Sequence, residues 1–214
     1  TPHTRTTALP TYPFQHHRYW LTPATTTNVS TAGLDQPDHP LLGAITCLAD
    51  QDQIVLSGRI SVTSHQWLTG HRVGGAVVFP ATGFIDLLLC AGEHAGSPVV
   101  DELVLQAPLV LSDGATTDLQ ITVHPVDDTQ QRPVTVHART HDNYERTPWT
   151  LHATGKLSAR TAGPPAPTAP PLVGVVDVEG FYQGLAAQGL GYAGPFQAVV
   201  GIAEDPADPD TVVA

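Results

Sequence analysis

His71, Gly75 and Pro80 stand in the run Gly70-His-Arg-Val-Gly-Gly-Ala-Val-Val-Phe-Pro-Ala-Thr-Gly83. The run sets a titratable imidazole, a flexible glycine pair and an apolar strand directly ahead of a proline suited to the first turn of a helix. That is the layout of a base beside an oxyanion site. Trp67, Leu68 and residues 77–79 flank His71, so partial desolvation is expected to hold the imidazole neutral and able to accept a proton. A helix starting near Pro80 would leave the amides of Ala81, Thr82 and Gly83 without intrahelical acceptors. An acyl thioester carbonyl placed there would be polarised, and the enolate charge that develops as His71 takes an α-proton would be stabilised. A core histidine before a strand and a proline-started helix has the same spacing, so spacing alone leaves both readings open.

The elements that must hold this run are legible from periodicity. Residues 41–48 and 54–60 read as two strands joined by Ala49-Asp-Gln-Asp-Gln53 into a hairpin. Beyond Pro80, Phe84, Ile85, Leu87, Leu88, Leu89 and Ala91 cover most of a helix, which Gly92 and Gly96 are expected to end and whose apolar breadth predicts burial. Four β-type stretches follow, 102–111, 119–126, 134–140 and 149–157, with acidic or glycine turns between them. An antiparallel meander wrapped around one buried helix accommodates them. Residues 161–171, with their repeated prolines, form a spacer. After it, Asp177 can cap a helix carrying Phe181, Tyr182, Leu185 and Ala186; a turn over 189–195, a strand over 196–202 and a pattern-breaking acidic stretch over 204–210 complete the reading.

Composition narrows the function classes. The 214 residues carry 41% hydrophobic side chains, enough for a substantial core, and a net charge of −11 that gives no field favouring a phosphate backbone. Nucleic acid is therefore excluded as an expected partner. Cys47 and Cys90 make no disulfide framework, and His16 and His17 lack a zinc-type ligand set, so no metal is expected. No apolar run approaches the roughly 20 residues that span a bilayer, and no basic segment followed by an apolar stretch opens the chain, so the expected compartment is cytoplasmic. The chain opens on Thr1 rather than methionine, as a boundary inside a longer polypeptide would. Of the eleven histidines, His124, His137 and His152 fall in strand patterns, His94 near a helix end, and His3 and His141 in expected loops; only His71 has surroundings suited to catalysis.

Several stretches, in order, resemble the dehydratase domain of modular type I polyketide synthases. His65-Gln-Trp-Leu-Thr-Gly-His71 with Gly75 and Pro80 is similar to the family's His-x-x-x-Gly-x-x-x-x-Pro motif and the His-x-Trp-Leu before it. His39-Pro-Leu-Leu-Gly43 resembles the opening strand, and residues 101–109 and 149–155 resemble two further strands. Residues 9–21 resemble the linker that leads from an acyltransferase into the dehydratase. Gly189-Leu-Gly-Tyr-Ala-Gly-Pro-Phe196 resembles the family's Gly-Tyr-x-Tyr-Gly-Pro-x-Phe segment with the Gly-Pro pair displaced by one residue.

The resemblance implies an α+β double hotdog, each half an antiparallel sheet wrapped around a central helix: a linker over 1–32, an N-terminal hotdog over 33–160, a proline-rich linker over 161–171, and an incomplete second hotdog over 172–214. It implies that His71 is the general base that removes the α-proton of a β-hydroxyacyl group carried on an acyl carrier protein, giving an α,β-enoyl thioester without cofactor or metal. Gly75, Phe79, Pro80, Ala81 and Tyr192 are the implied substrate-binding residues. The acid partner is an aspartate of the second hotdog in an Asp-x-x-x-Gln or Asp-x-x-x-His motif; Asp177, Asp205, Asp208 and Asp210 do not fit it, which places the acid outside this chain. Implied partners are the acyl carrier protein, other synthase domains and a second copy in a homodimer. A dehydratase-like isomerase or cyclase and a non-catalytic scaffold are the alternatives within the family, and a single-hotdog thioesterase the alternative outside it.

Overall fold

The computed structural model describes residues 29–142, 145–160, 177–199, 201, 203–205 and 208–213. The aromatic segment 9–21, the histidine pair 16–17 and the spacer 161–171 lie outside the described residues. In chain order the first elements are Ala44–Cys47 (β1), Ile54–Ile60 (β2), His71–Val73 (β3), Ala76–Val77 (β4), Ala81–His94 (α1), Val99–Leu105 (β5), Thr116–Val123 (β6), Arg132–Asp142 (β7), Glu145–Arg146 (β8) and Thr150–Ser158 (β9). Those that follow are Val178–Ala187 (α2), Leu190–Tyr192 (β10), Ala203–Asp205 (β11) and Asp208–Val213 (β12).

A seven-stranded antiparallel sheet runs β1-β2-β6-β7-β9-β5, with β8 paired to β7. Alternation on β6 sends Leu119, Ile121 and Val123 inward, where the register aligns Ile121 with Leu56 on one side and Val136 on the other. Against this face α1 lays Phe84, Leu87, Leu88 and Ala91, all 1% exposed or less. Gly155 lets the helix come close, since a Cβ there would meet Leu88 Cδ2 at 2.9 Å and Val134 Cγ1 at 3.2 Å. Each fully buried aliphatic or aromatic side chain contributes roughly 1.5–3 kcal/mol of transfer free energy, so the sheet–helix contact dominates stability.

Several elements depart from the sequence expectation. The meander holds only for β6, β7 and β9: β2 and β5 lie toward opposite edges, with α1 bridging them over the sheet face. β1 is shorter than the expected strand, and Leu41 and Leu42 are buried ahead of it, where the His39 ring meets Asp86 of α1 at 3.0 Å. α1 continues through Gly92, whose missing Cβ leaves room for the Ser97 carbonyl, and only Gly96 (φ +66) follows its end. Nor is the helix buried all round, because Ile85 and Leu89 are about 40% exposed. β5 stops at Leu105 instead of running to 111. The expected strand over 196–202 is absent among the described residues; β10 occupies the expected turn, Gly194–Phe196 is a short 3-10 helix, and the acidic stretch pairs as the β11–β12 hairpin. Asp177 caps α2 as expected, accepting from the Glu179 amide at 3.1 Å.

On the outer face of β6 the Asp118 carboxylate accepts from Arg59 Nε (2.8 Å), Arg139 Nε (3.2 Å) and His141 Nε2 (2.7 Å). Burial pushes this carboxyl up, but the hydrogen bonds from Arg59 and Arg139, the Arg59 charge and the His141 bond outweigh it and hold the group below the usual carboxylate range. A depressed native pKa stabilises the fold fully above the unfolded value of about 3.9 and ceases to do so as pH falls through the native value. Asp118→Asn is expected to cost about 1–3 kcal/mol at neutral pH. In urea titrations the gap to the wild type should close below about pH 4; a gap independent of pH would contradict the charge-based account.

Candidate active site

β3 and β4 form a tight hairpin in which Val73 pairs with Ala76 across Gly74 and Gly75. Both glycines have positive φ, +57 and +85, as a two-residue turn of this twist requires. Gly75 thus shapes the hairpin, and its carbonyl accepts from the Arg72 guanidinium at 3.0 Å. The hairpin carries His71 at its base, where Nδ1 lies 2.7 Å from the Val78 carbonyl oxygen. A carbonyl only accepts, so in the neutral ring Nδ1 bears the hydrogen and Nε2 keeps its lone pair. The tautomer of this imidazole is therefore set by backbone. His71 is half-buried, and no described carboxylate bonds to it.

Pro80 caps α1 in an extended conformation, φ −72 and ψ 150. One expectation about the helix start is corrected: the Gly83 amide is not free but donates to the Pro80 carbonyl at 3.0 Å, closing a tight first turn. Ala81 and Thr82 remain as the first-turn amides without an intrahelical acceptor. His71, Phe79, Ala81 and Phe84 line a pocket of about 360 Å³, whose opposite wall is Leu105 to Leu109. Pro80 itself does not line it. Phe79 is 2% exposed and packs edge-on against Phe84 at 5.0 Å, giving the pocket an apolar floor.

The wall exists because the chain leaves the sheet after Leu105. Leu109 carbonyl accepts from the Phe79 amide at 2.8 Å, and the Leu111 amide donates to Val77 at 2.9 Å, so the segment runs beside β4. Residues 101–109 are legible as a strand, but their lining role is not, and only Pro108, which has no N–H to donate to a ladder, hints that pairing with β9 stops. Val78 likewise escapes sequence reasoning, because its contribution is a carbonyl.

The segment after α2 docks on the far side of His71. β10 pairs with β3, placing Tyr192 opposite His71, with ring centroids 5.3 Å apart. Phe196 lies 5.1 Å from the imidazole and stacks on Trp67 at 5.9 Å. The displaced Gly-Pro pair is accommodated by Gly194 at φ +57, followed by Pro195 in the 3-10 turn, which returns Phe196 to the histidine. Gly70 makes this docking possible: the Ala193 amide donates to its carbonyl at 2.8 Å, and a Cβ would run into the Ala193 carbonyl. Gly70→Ala is expected to displace 190–196 from β3, removing amide hydrogen-exchange protection at 190–193, while the urea midpoint of the main sheet barely moves. Unchanged protection at 190–193 would contradict this.

Among the described residues no group of three or more His, Cys, Asp or Glu side chains is placed to hold a metal ion, and no helix is long and apolar enough to cross a membrane. Residues 39–139 match the family model of the polyketide synthase dehydratase domain. The polyketide synthase GfsA of Streptomyces halstedii is 44% identical over 199 residues, 89% of this chain but 3% of the synthase. A dehydratase structure from the borrelidin and fluvirucin polyketide synthases superposes with a TM-score of 0.75 at 42% identity, covering 82% of this chain and 63% of that one. The erythromycin dehydratase gives 0.74 at 36% identity, covering 83% of this chain and 67% of that one. The chain therefore spans a small part of the synthases it matches and about two thirds of the dehydratase structures. Their fold is the double hotdog, in which an antiparallel sheet wraps a central helix, as the seven-stranded sheet does α1 here. With the histidine hairpin, the proline-capped central helix and the pairing of β10 onto β3 all in place, this chain belongs to the dehydratase domains of modular polyketide synthases.

Proposed function

We propose that the chain carries the base half of a dehydratase site acting on a β-hydroxyacyl group tethered to an acyl carrier protein. What supports this is one pocket lined by both His71 and Ala81, with the imidazole hydrogen committed to Val78. His71 Nε2 takes the α-proton, the C–H electron pair becomes the new C=C bond, and the β-hydroxyl leaves as water after protonation by an aspartate from outside this chain. The amides of Ala81 and Thr82, at the positive end of α1, would donate to the thioester oxygen as enolate charge develops. Phe79 and the 105–109 wall would hold the acyl chain, Tyr192 would flank the base, and Gly75 and Pro80 would set the hairpin and the helix start. No cofactor or metal is required, since the only steps are proton transfers and C–O cleavage.

In the same reading residues 1–32 are a linker following an acyltransferase, 33–160 the N-terminal hotdog, 161–171 a linker and 172–214 the opening of the second hotdog. The partners would be the acyl carrier protein, neighbouring synthase domains and a second copy in a homodimer, in the cytoplasm. The test extends the chain to the full dehydratase length and follows conversion of a carrier-bound β-hydroxyacyl thioester to its enoyl product by mass. A folded, carrier-binding domain that releases no water would overturn the proposal in favour of a scaffold.

A further inference from the structure

The Gln106-Ala107-Pro108-Leu109 wall of the His71 pocket is held from behind by β9, where Gln106 Nε2 donates to Thr154 Oγ1 at 3.2 Å and His152 bonds the wall's backbone. His152 stands where β9 departs from regular pairing with β7: Ala153 faces Val136 while Leu151 faces His137, leaving His152 as the extra residue of a bulge. The bulge turns its backbone and ring toward the wall. The His152 carbonyl accepts from the Gln106 amide at 2.8 Å and the Ala107 amide at 3.4 Å, and its Nδ1 lies 3.1 Å from the Ala107 carbonyl. On the other side the wall is tied to the site itself, Leu109 accepting from Phe79 at 2.8 Å. His152 is only 7% exposed, and its imidazole meets the half-buried Ala107 from the inner side.

Building on the dehydratase reading of the pocket, we infer that His152 is a positioning residue that sets the acyl-binding wall opposite His71 through the Nδ1–H to Ala107 bond. The two backbone bonds survive any side chain, so the imidazole's part is the Ala107 carbonyl alone. It fixes how far residues 106–109 stand from Phe79 and Phe84, and hence the width available to the acyl chain. His152 takes no proton from substrate, because Ala107 and the wall lie between it and the pocket. Its effect therefore belongs in substrate affinity, not in the proton-transfer step.

Asparagine and glutamine separate position from polarity. The Asn amide nitrogen coincides with the place of Nδ1, whereas the Gln amide reaches toward that of Nε2. In the chain extended to full dehydratase length, His152→Asn is expected to keep KM within about twofold of wild type, and His152→Gln to raise it about tenfold with kcat nearly unchanged. Dissociation constants for a saturated acyl-pantetheine thioester, which cannot dehydrate, should shift in parallel. Equal KM and affinity for the two variants, or a fall in kcat at constant KM, would overturn the inference. His71→Ala is assayed beside them: if it retains full turnover the dehydratase reading fails, while the affinity measurement still judges His152 separately.

Discussion

In the chain extended to full dehydratase length, His71→Ala is expected to lower turnover of a carrier-bound β-hydroxyacyl substrate by about 10²–10⁴-fold, the range a positioned general base supplies. KM should hardly change, because Nε2 interacts with the α-hydrogen chiefly as it is being transferred. The fold should also survive: the side chain is half-buried, and its hydrogen bond from Nδ1 to Val78 is worth about 0.5–1.5 kcal/mol. His71→Asn makes the comparison sharper. Its amide nitrogen can still donate to the Val78 carbonyl, but nothing replaces the Nε2 lone pair. If holding the hairpin were the role of His71, asparagine would rescue the rate. If proton abstraction is its role, asparagine should be as inactive as alanine while matching the wild-type urea midpoint.

The largest stability effect is expected from Phe84→Ala, at about 3–5 kcal/mol. Phe84 is 1% exposed, belongs to the first turns of α1, and packs edge-on against Phe79 at 5.0 Å. Truncation leaves a cavity between the helix and the pocket floor that Phe79 cannot fill without leaving its own contacts. Against a typical total of about 5–15 kcal/mol, this removes a large share of the margin. Because Phe84 also lines the His71 pocket, the folded fraction should bind acyl substrate more weakly. Chemical denaturation would read the first effect and KM the second. A midpoint within experimental error of wild type would show that α1 is not held by this contact.

The two experiments address parts of the molecule that differ in how far residue order reveals them. Alternation in residues 119–123 and 134–138 announces strands with one buried face, and the structure buries those same side chains on α1. Pro80 announces the helix start, and Asp177 announces the cap of α2, because both act on amides within three residues of themselves. The His71 spacing is legible for the same reason: a two-glycine turn and a proline cap are local devices. The residues 190–192 are different. Gly191 and its neighbours have no strand-like pattern, and they become a strand only because the edge of β3, more than a hundred residues earlier, offers them partners. The wall over 106–109 is a strand sequence pulled out of the sheet by Phe79 on one side and the His152 bulge on the other.

Residue types and short spacings in this chain carry its family, the His71 motif and the hairpin that holds it, since propensity, capping and turn chemistry act over a few neighbouring residues. Three-dimensional packing alone chooses the histidine tautomer, through a backbone carbonyl that has no sequence signature, and alone closes the pocket. It also brings Tyr192 and Phe196 against His71. Hydrogen-bond partners far apart in the chain are selected by the folded geometry as a whole, and no local pattern encodes that choice.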